Sequence, residues 1–252
     1  MRLYYVQDLT PVLVASPVRD VLDAAEKTLG ADHRVATKLR SLILRTHALR
    51  TAMETMQETL GCIRRQALQN ARVQPHHGVE GLGEYSEVLV LEEMKPFGNR
   101  FRGVLAVGSV LDVAYAVIDN VFAVNNILER AGFPMEPPLA SGRNKDYVAK
   151  ALRFGAADRN QFRNVNDLIW FRDHVVHVFE TMMFGVEEPD GRLEWVFANK
   201  LPHFQPETTG HRMTEGEILD AAHNLQILVR EWALVARARL IQGQPPSTPT
   251  QS

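Results

Sequence analysis

The sequence has little of several features that mark whole classes of protein. A single cysteine, Cys62, among 252 residues excludes an internal disulfide framework and is typical of a reducing compartment. The first residues, Met1 to Asp8, lack the basic and then apolar pattern of a signal peptide. No uninterrupted run of about 18 apolar residues is present, which predicts that nothing spans a membrane. We therefore expect a soluble, cytoplasmic protein.

The chain also lacks a large excess of charge of either sign, and it lacks common cofactor motifs. The formal net charge is −2, so no overall field draws the chain to nucleic acid or anionic lipid. Any nucleic-acid contact must come from a local patch. The chain has no glycine-rich phosphate loop and no Gly-x-Ser-x-Gly pattern. No cofactor is therefore expected.

Helical signals dominate what is present. Hydrophobic residues make up 45% of the chain, which is ample for a core. A short helix is predicted from Ser16-Pro17 to Gly30, with Ser16 as N-cap and Gly30 as a left-handed cap. A long helix from about His33 to about Gln69 follows, with a coiled-coil-like apolar seam. The seam comprises Val35, Leu39, Leu42, Thr46, Leu49, Met53, Met56, Leu60, Ile63 and Ala67.

The middle of the chain is less regular. Residues 71–103 read as irregular, and within them Val88 to Leu91 fit either a short strand or a helical turn. A third helix, apolar nearly all round and therefore central, is expected from about Leu105 to Arg130. A loop over 134–142 and a further helical piece over about 143–154 follow.

The last third combines a hairpin with a final helix. Residues 183–197 are typical of a hairpin that turns at Pro189-Asp190-Gly191. Thr214 to Glu217 form a capping box that opens the last helix, and 242–252 read as a disordered tail. The apolar face of that helix is Ile218, Ala221, Ala222, Leu225, Val229, Trp232 and Ala236. The sequence thus predicts an all-α bundle of long antiparallel helices with a small β-hairpin insert, in one domain over 1–241.

Arg172 is the most informative candidate for function, because it falls in an apolar stripe of a helix that includes Phe162 to Phe179. Its helical neighbours are Leu168, Ile169, Val175, Val176 and Phe179. Arginine is almost never fully buried without a partner, since an unpaired buried charge costs about several kcal/mol. We therefore expect Arg172 to line a cleft, to meet a carboxylate or to face another subunit.

Polar residues close to Arg172 suggest a site. Asp173 and His177 are four residues apart, so they can share a hydrogen bond that orients the imidazole. His174 lies between them. Arg172 and His177 are separated by about 140° around a regular helix. One copy of the chain therefore does not aim both at the same point, unless the helix bends or two copies face each other.

The segment Arg172-Asp-His-Val-Val-His177 resembles the motif of the HEPN superfamily, in which four to six residues separate an arginine from a histidine. Asp173 fits the polar residue that usually follows the arginine. The resemblance covers about 20 residues directly and implies a helical core over about 105–241. It also implies a homodimer whose two motifs meet at a cleft and, in many members, RNA cleavage without metal. A toxin or defence context with an antitoxin-type protein partner belongs to the same expectation.

The residue types suit that chemistry. Arg172 offers a permanently charged fork for phosphate, His177 can move a proton near neutral pH, and Asp173 can hold its tautomer. His174 is a second proton shuttle or a bystander. Residues 143–172 contain seven Lys or Arg against three Asp or Glu, so an RNA backbone could follow this patch. Its candidates are Arg143, Lys145, Lys150, Arg153, Arg159 and Arg163. Trp170 and Phe171 either stack on bases or, as aromatic residues more often do, pack in the core.

Two other interpretations stay open. Arg172 can instead form a structural ion pair, which makes the chain a non-catalytic helical interaction or nucleotide-binding module. A metal-binding bundle is the second alternative, because His174 with His177 and Asp220 with His223 have the i,i+3 spacing of helical ligands. His223 falls opposite the apolar face of its helix, however, and we expect no metal.

Overall fold

Helices make up most of the structure, as the sequence predicts. The computed structural model describes residues 18–70, 72–75, 87–90, 98–133, 159–177, 182–187, 191–198 and 212–243. The helices are α1 (Arg19–Leu29), α2 (Arg34–Asn70), α3 (Asn99–Arg130), α4 (Arg159–His177) and α5 (Glu215–Gln242). The strands are β1 (Arg72–Pro75), β2 (Glu87–Val90), β3 (Met182–Glu187), β4 (Leu193–Ala198) and β5 (Arg212–Thr214).

The first two helices follow the sequence pattern closely. Gly30 ends α1 at a φ of 94°, a conformation that favours glycine. Val18 precedes α1 without a side-chain cap, and the expected N-terminal signal at Ser16-Pro17 lies outside the described residues. Along α2 the apolar seam is buried except at Thr46 and Met53, which are half-buried. The predicted seam is therefore confirmed.

Helix α3 begins at Asn99, six residues before its predicted start at Leu105. Its buried side chains include Val107, Leu111 and Ile118, while Phe101 is 50% exposed. The segment Phe101–Arg130 is long and apolar enough to cross a membrane by length and composition, and an 18-residue window within it has a mean hydropathy of 1.7. The core helix of a soluble protein meets the same criterion, and 44% of this window is buried. The absence of a membrane span stays a prediction.

Two small antiparallel sheets accompany the helices. β1 pairs with β2, so the segment that fitted a strand or a helical turn is a strand. β3 and β4 form the predicted hairpin, in which Gly185 lies opposite Trp195. Gly191, the last residue of the predicted turn, has a φ of 78°. β5 adds a third strand beside β4. Neither β1 nor β5 was expected from the sequence.

Helix α5 starts with the predicted capping box. The Glu217 amide donates to the Thr214 hydroxyl oxygen at 3.1 Å, and the Thr214 amide donates to a Glu217 carboxylate oxygen at 2.8 Å. These reciprocal bonds satisfy backbone donors that the first turn of a helix cannot pair internally. The whole predicted apolar face of α5, from Ile218 to Ala236, is buried. Of the predicted tail over 242–252, Gln242 is the last residue of α5 and Gly243 follows it, whereas 244–252 lie outside the described residues.

Contacts divide the chain into two compact units. The first comprises Met1–Ala48, Ala116–Phe162 and Leu225–Ser252, and the second comprises Leu49–Tyr115 and Arg163–Asn224. Polar pairs lie inside each unit. In the first, the Trp232 indole donates to Asn125 Oδ1 at 2.8 Å, and in the second the Trp195 indole donates to the Leu60 carbonyl at 3.2 Å. One domain over 1–241, with a core from about 105, stays a prediction.

Candidate functional site

Helix α4 carries Arg172 at the border of its buried face. Val165, Leu168 and Phe171 are fully buried, whereas Asp173 is exposed. Because successive helical residues are turned by about 100°, Arg172 lies between the buried and the exposed sides. Its side chain keeps 20% of its surface exposed. The arginine therefore sits beside the apolar stripe and opens to solvent, rather than lying at the centre of the stripe.

Three contacts hold the guanidinium, all inside the second unit. Nε donates to Asp112 Oδ1 at 3.4 Å, and Nη1 donates to Asp173 Oδ1 at 3.1 Å. The guanidinium carbon lies 4.3 Å from the centroid of the Tyr115 ring. Of the three settings expected for Arg172, the structure shows contact with carboxylates, and Asp112 is an acid that the sequence pattern did not identify. Asp112 and Tyr115 both come from α3.

These contacts fix the guanidinium without closing the site. The Asp112 side chain is 63% exposed and that of Asp173 is 50% exposed. Ion pairs this exposed contribute about 0.2–1 kcal/mol each. A cation over an exposed aromatic ring contributes about 0.5–1 kcal/mol. Arg172 is therefore oriented by its contacts, but its ion pairs with Asp112 and Asp173 are weak enough for another anion to replace one of them.

The two histidines of the motif lie on the same helix. His174 and His177 belong to the last turn of α4, which ends at His177. Their side chains lie outside the described part of the structure. The predicted hydrogen bond between Asp173 and His177 therefore stays a prediction. Asp173 Oδ1 accepts a hydrogen bond from Arg172, and the carboxylate retains lone pairs that could accept another.

Only part of the predicted basic patch can be placed. Arg143, Lys145, Lys150 and Arg153 lie outside the described residues, as does the side chain of Arg159. Arg163 is exposed on α4, so its charge is available to solvent. Trp170 is half-buried. Phe171 is fully buried, so of the two interpretations of this residue, core packing and base stacking, the structure supports core packing.

A second polar cluster surrounds the start of α5, and no pattern in the sequence indicated it, because its residues come from separate elements. Arg64 of α2 forms an ion pair with Glu215, whose side chain is only 12% exposed. Burial raises the pKa of Glu215, Arg64 opposes that rise, and Glu194 adds to it. The Gly216 amide donates to Glu194 Oε1 at 3.4 Å. Carboxylates near a helix N-terminus are favourable, which gives this cluster a structural role.

Asp167 of α4 interacts electrostatically with Glu217, which lies in the first turn of α5. Burial raises the pKa of its carboxyl above the ordinary value of 3.8, Arg163 lowers it, and Glu217 raises it further. Arg163 therefore compensates a partly buried acid as well as facing solvent. The capping-box pattern signalled Glu217, but only the fold brings Asp167 near it.

Among the described residues, nothing completes a metal site around the proposed ligands Asp220 and His223. Asp220 and His223 are both exposed on α5. Within the described ranges, no group of three or more His, Cys, Asp or Glu is placed to hold an ion. The pair His174 and His177 falls outside that test, because their side chains are not described.

No family model, characterised protein or solved structure shows a significant match to this chain.

Proposed function

We propose that this chain is a metal-independent endoribonuclease of the HEPN type. The observation that supports this best is the arrangement of Arg172: its guanidinium is oriented by Tyr115 and by two exposed carboxylates, and 20% of its side-chain surface is exposed. His177 lies five residues further along α4. RNA transesterification requires an oriented cation for the crowded phosphate and a group such as histidine that moves a proton.

Each residue has a defined task in this proposal. The imidazole of His177 takes the proton from a ribose 2′-hydroxyl, and the 2′-oxygen attacks the adjacent phosphorus. The 5′-oxygen leaves, so the products are a 2′,3′-cyclic phosphate and a 5′-hydroxyl. Arg172 binds the non-bridging oxygens as negative charge accumulates. Asp173 orients His177, and His174 is a second candidate for protonating the leaving oxygen.

A homodimer belongs to the proposal, because the directions of Arg172 and His177 differ by about 140° on a regular helix. Two facing copies bring an arginine from one chain toward a histidine of the other. The basic residues from Arg143 to Arg163 then guide the RNA backbone, and Trp170 stacks on a base. A toxin or defence role, an antitoxin-type partner and a cytoplasmic location accompany this proposal.

The contacts of Arg172 also favour a second candidate, a non-catalytic helical interaction or nucleotide-binding module. Asp112, Asp173 and Tyr115 satisfy the guanidinium within a single chain, without RNA or a second subunit. A structural arginine needs nothing more. A metal-binding bundle has no comparable support among the described residues.

Cleavage in the presence of a chelator separates these candidates. A fluorescently labelled single-stranded RNA is incubated with the purified chain in EDTA, beside His177→Ala and the control His223→Ala. His223 is exposed on α5, so its replacement removes a histidine without touching the motif. We expect cleavage by the wild type and by His223→Ala, and none by His177→Ala.

Other results would redirect the assignment. Equal cleavage by all three proteins would indicate a contaminating nuclease and remove the proposal. Intact RNA with a folded wild type would favour the non-catalytic module. Activity that is lost in EDTA and restored by a divalent ion would favour a metal-dependent enzyme. Circular dichroism spectra of the three proteins establish that they are equally helical.

A further inference from the structure

Asp112 contacts the edge of Arg172 that a phosphate would use. We propose that Asp112 is an intramolecular competitor, which occupies the guanidinium of Arg172 in the RNA-free chain and is displaced when an RNA phosphate binds. This inference rests on the proposed function and concerns regulation of the same site. It assigns to Asp112 a role in setting RNA affinity, although Asp112 lies 60 residues from Arg172 and outside the motif.

The geometry of the fork supports the exchange. Nε and Nη2 form one edge of a guanidinium, and a bidentate anion binds both. Asp112 accepts from Nε at 3.4 Å, a long distance for a charged pair, and within the described structure Nη2 donates no hydrogen bond. A phosphate that contacts both Nε and Nη2 gains two shorter bonds where the carboxylate has one long bond.

The surroundings of Arg172 allow the carboxylate to leave at little cost. The Asp112 side chain is 63% exposed, so water solvates it once it is released. Arg172 keeps its contact with Tyr115 and its hydrogen bond from Nη1 to Asp173. The guanidinium plane therefore stays in place while one of its two carboxylate partners is exchanged for phosphate.

The expected gain in RNA affinity on replacement of Asp112 follows from the strength of the ion pair that is lost. Exposed ion pairs of this kind contribute about 0.2–1 kcal/mol, so loss of the competitor should tighten RNA binding roughly 1.4- to fivefold. The gain should shrink as ionic strength rises, because salt screens an exposed pair. A residue with a merely structural role gives no gain of affinity when it is replaced.

The test measures binding of a fluorescent 2′-O-methyl RNA oligonucleotide, which cannot be cleaved at the 2′-position, by fluorescence anisotropy at low salt. We expect Asp112→Asn to bind about 1.4- to fivefold more tightly than the wild type. Glu58→Gln removes the same charge at an exposed position of α2 and serves as the control. In an Arg172→Ala background, Asp112→Asn should have no effect, since the guanidinium for which Asp112 competes is absent.

The same measurement separates failure of this inference from failure of the proposed function. If Arg172→Ala weakens binding but Asp112→Asn matches Glu58→Gln or binds more weakly, the competitor role is overturned and the RNA site stands. If Asp112→Asn gains equally with and without Arg172, general charge repulsion explains the gain and the competitor role is also overturned. If Arg172→Ala binds RNA as the wild type does, Arg172 is not the phosphate site and both proposals fall.

Discussion

The guanidinium carbon of Arg172 lies 4.3 Å from the centre of the Tyr115 ring. Two helices meet in this contact, since Tyr115 belongs to α3 and Arg172 to α4. The ring lies against one face of the planar guanidinium, whereas Asp112 accepts a hydrogen bond from Nε and Asp173 accepts one from Nη1. An arginine held in this way loses little freedom when it binds a phosphate, because its orientation is set beforehand.

Replacement of Tyr115 tests this support. Tyr115→Leu removes the aromatic face, which contributes about 0.5–1 kcal/mol to holding a cation, so KM for an RNA substrate should rise roughly two- to fivefold. Tyr115→Phe keeps the face and should leave KM close to the wild-type value. Steady-state cleavage kinetics of the two variants measure the difference. Equal KM values for the leucine and phenylalanine variants would show that the ring does not position Arg172.

Substitution of Arg172 by lysine tests the need for a fork. Lysine keeps the positive charge but cannot bind two phosphate oxygens in a bidentate manner, so the cleavage rate should fall roughly a hundredfold. Single-turnover rates at matched folding measure the loss. Arg163→Lys is the control, because Arg163 is exposed and its proposed contact with the RNA backbone needs only charge. A full rate in Arg172→Lys would contradict a bidentate role.

The capping box makes a prediction about stability. Thr214→Ala removes the hydroxyl that accepts from the Glu217 amide and should lower the free energy of unfolding by about 1 kcal/mol. Urea denaturation followed by circular dichroism measures the change. Thr51→Ala, at an exposed position inside α2, has no such cap to lose and should leave stability unchanged or slightly higher. Similar losses in both variants would argue against the capping role of Thr214.

Asp167 makes the stability depend on pH. Burial raises the pKa of its carboxyl above 3.8. The folded chain therefore binds this proton more tightly than the unfolded chain. The resulting contribution to the free energy of unfolding is fully present below the unfolded pKa and is lost as pH rises through the folded pKa.

A neutral replacement isolates this effect. Asp167→Asn stays uncharged, so its stability relative to the wild type should increase as pH is raised from about 3 to about 7. Urea unfolding at a series of pH values measures the trend. Asp220→Asn, an exposed carboxyl replaced in the same way, controls for the change in net charge. A difference between Asp167→Asn and the wild type that does not vary with pH would refute the linkage.

Local patterns were sufficient to predict much of this fold. The α2 seam, the hairpin and the capping box of Thr214 and Glu217 depend on residues close in sequence, and the structure confirms all three. β5 could not be predicted in the same way, because three residues beside β4 carry no periodicity that identifies them as a strand. Its pairing is a consequence of the tertiary fold.

At the candidate site, too, local sequence patterns could not predict the contacts that depend on the tertiary fold. Periodicity on α4 identified Arg172 as unusual and predicted that it needs a partner. It could not identify Asp112 or Tyr115, which are separated from Arg172 by more than fifty residues and meet it only once the helices pack. Periodicity also left open whether Phe171 packs in the core or stacks on a base, because the phase of the buried face depends on neighbouring helices.

The chemical ends of the RNA products test the central claim most directly. The wild-type chain is incubated in EDTA with an end-labelled RNA and with a matched DNA of the same sequence, and the products are analysed by mass spectrometry. The account predicts that the RNA is cut to fragments with 2′,3′-cyclic phosphate and 5′-hydroxyl ends, and that the DNA stays intact. Fragments with 5′-phosphate ends, cleavage of the DNA, or intact RNA would contradict it.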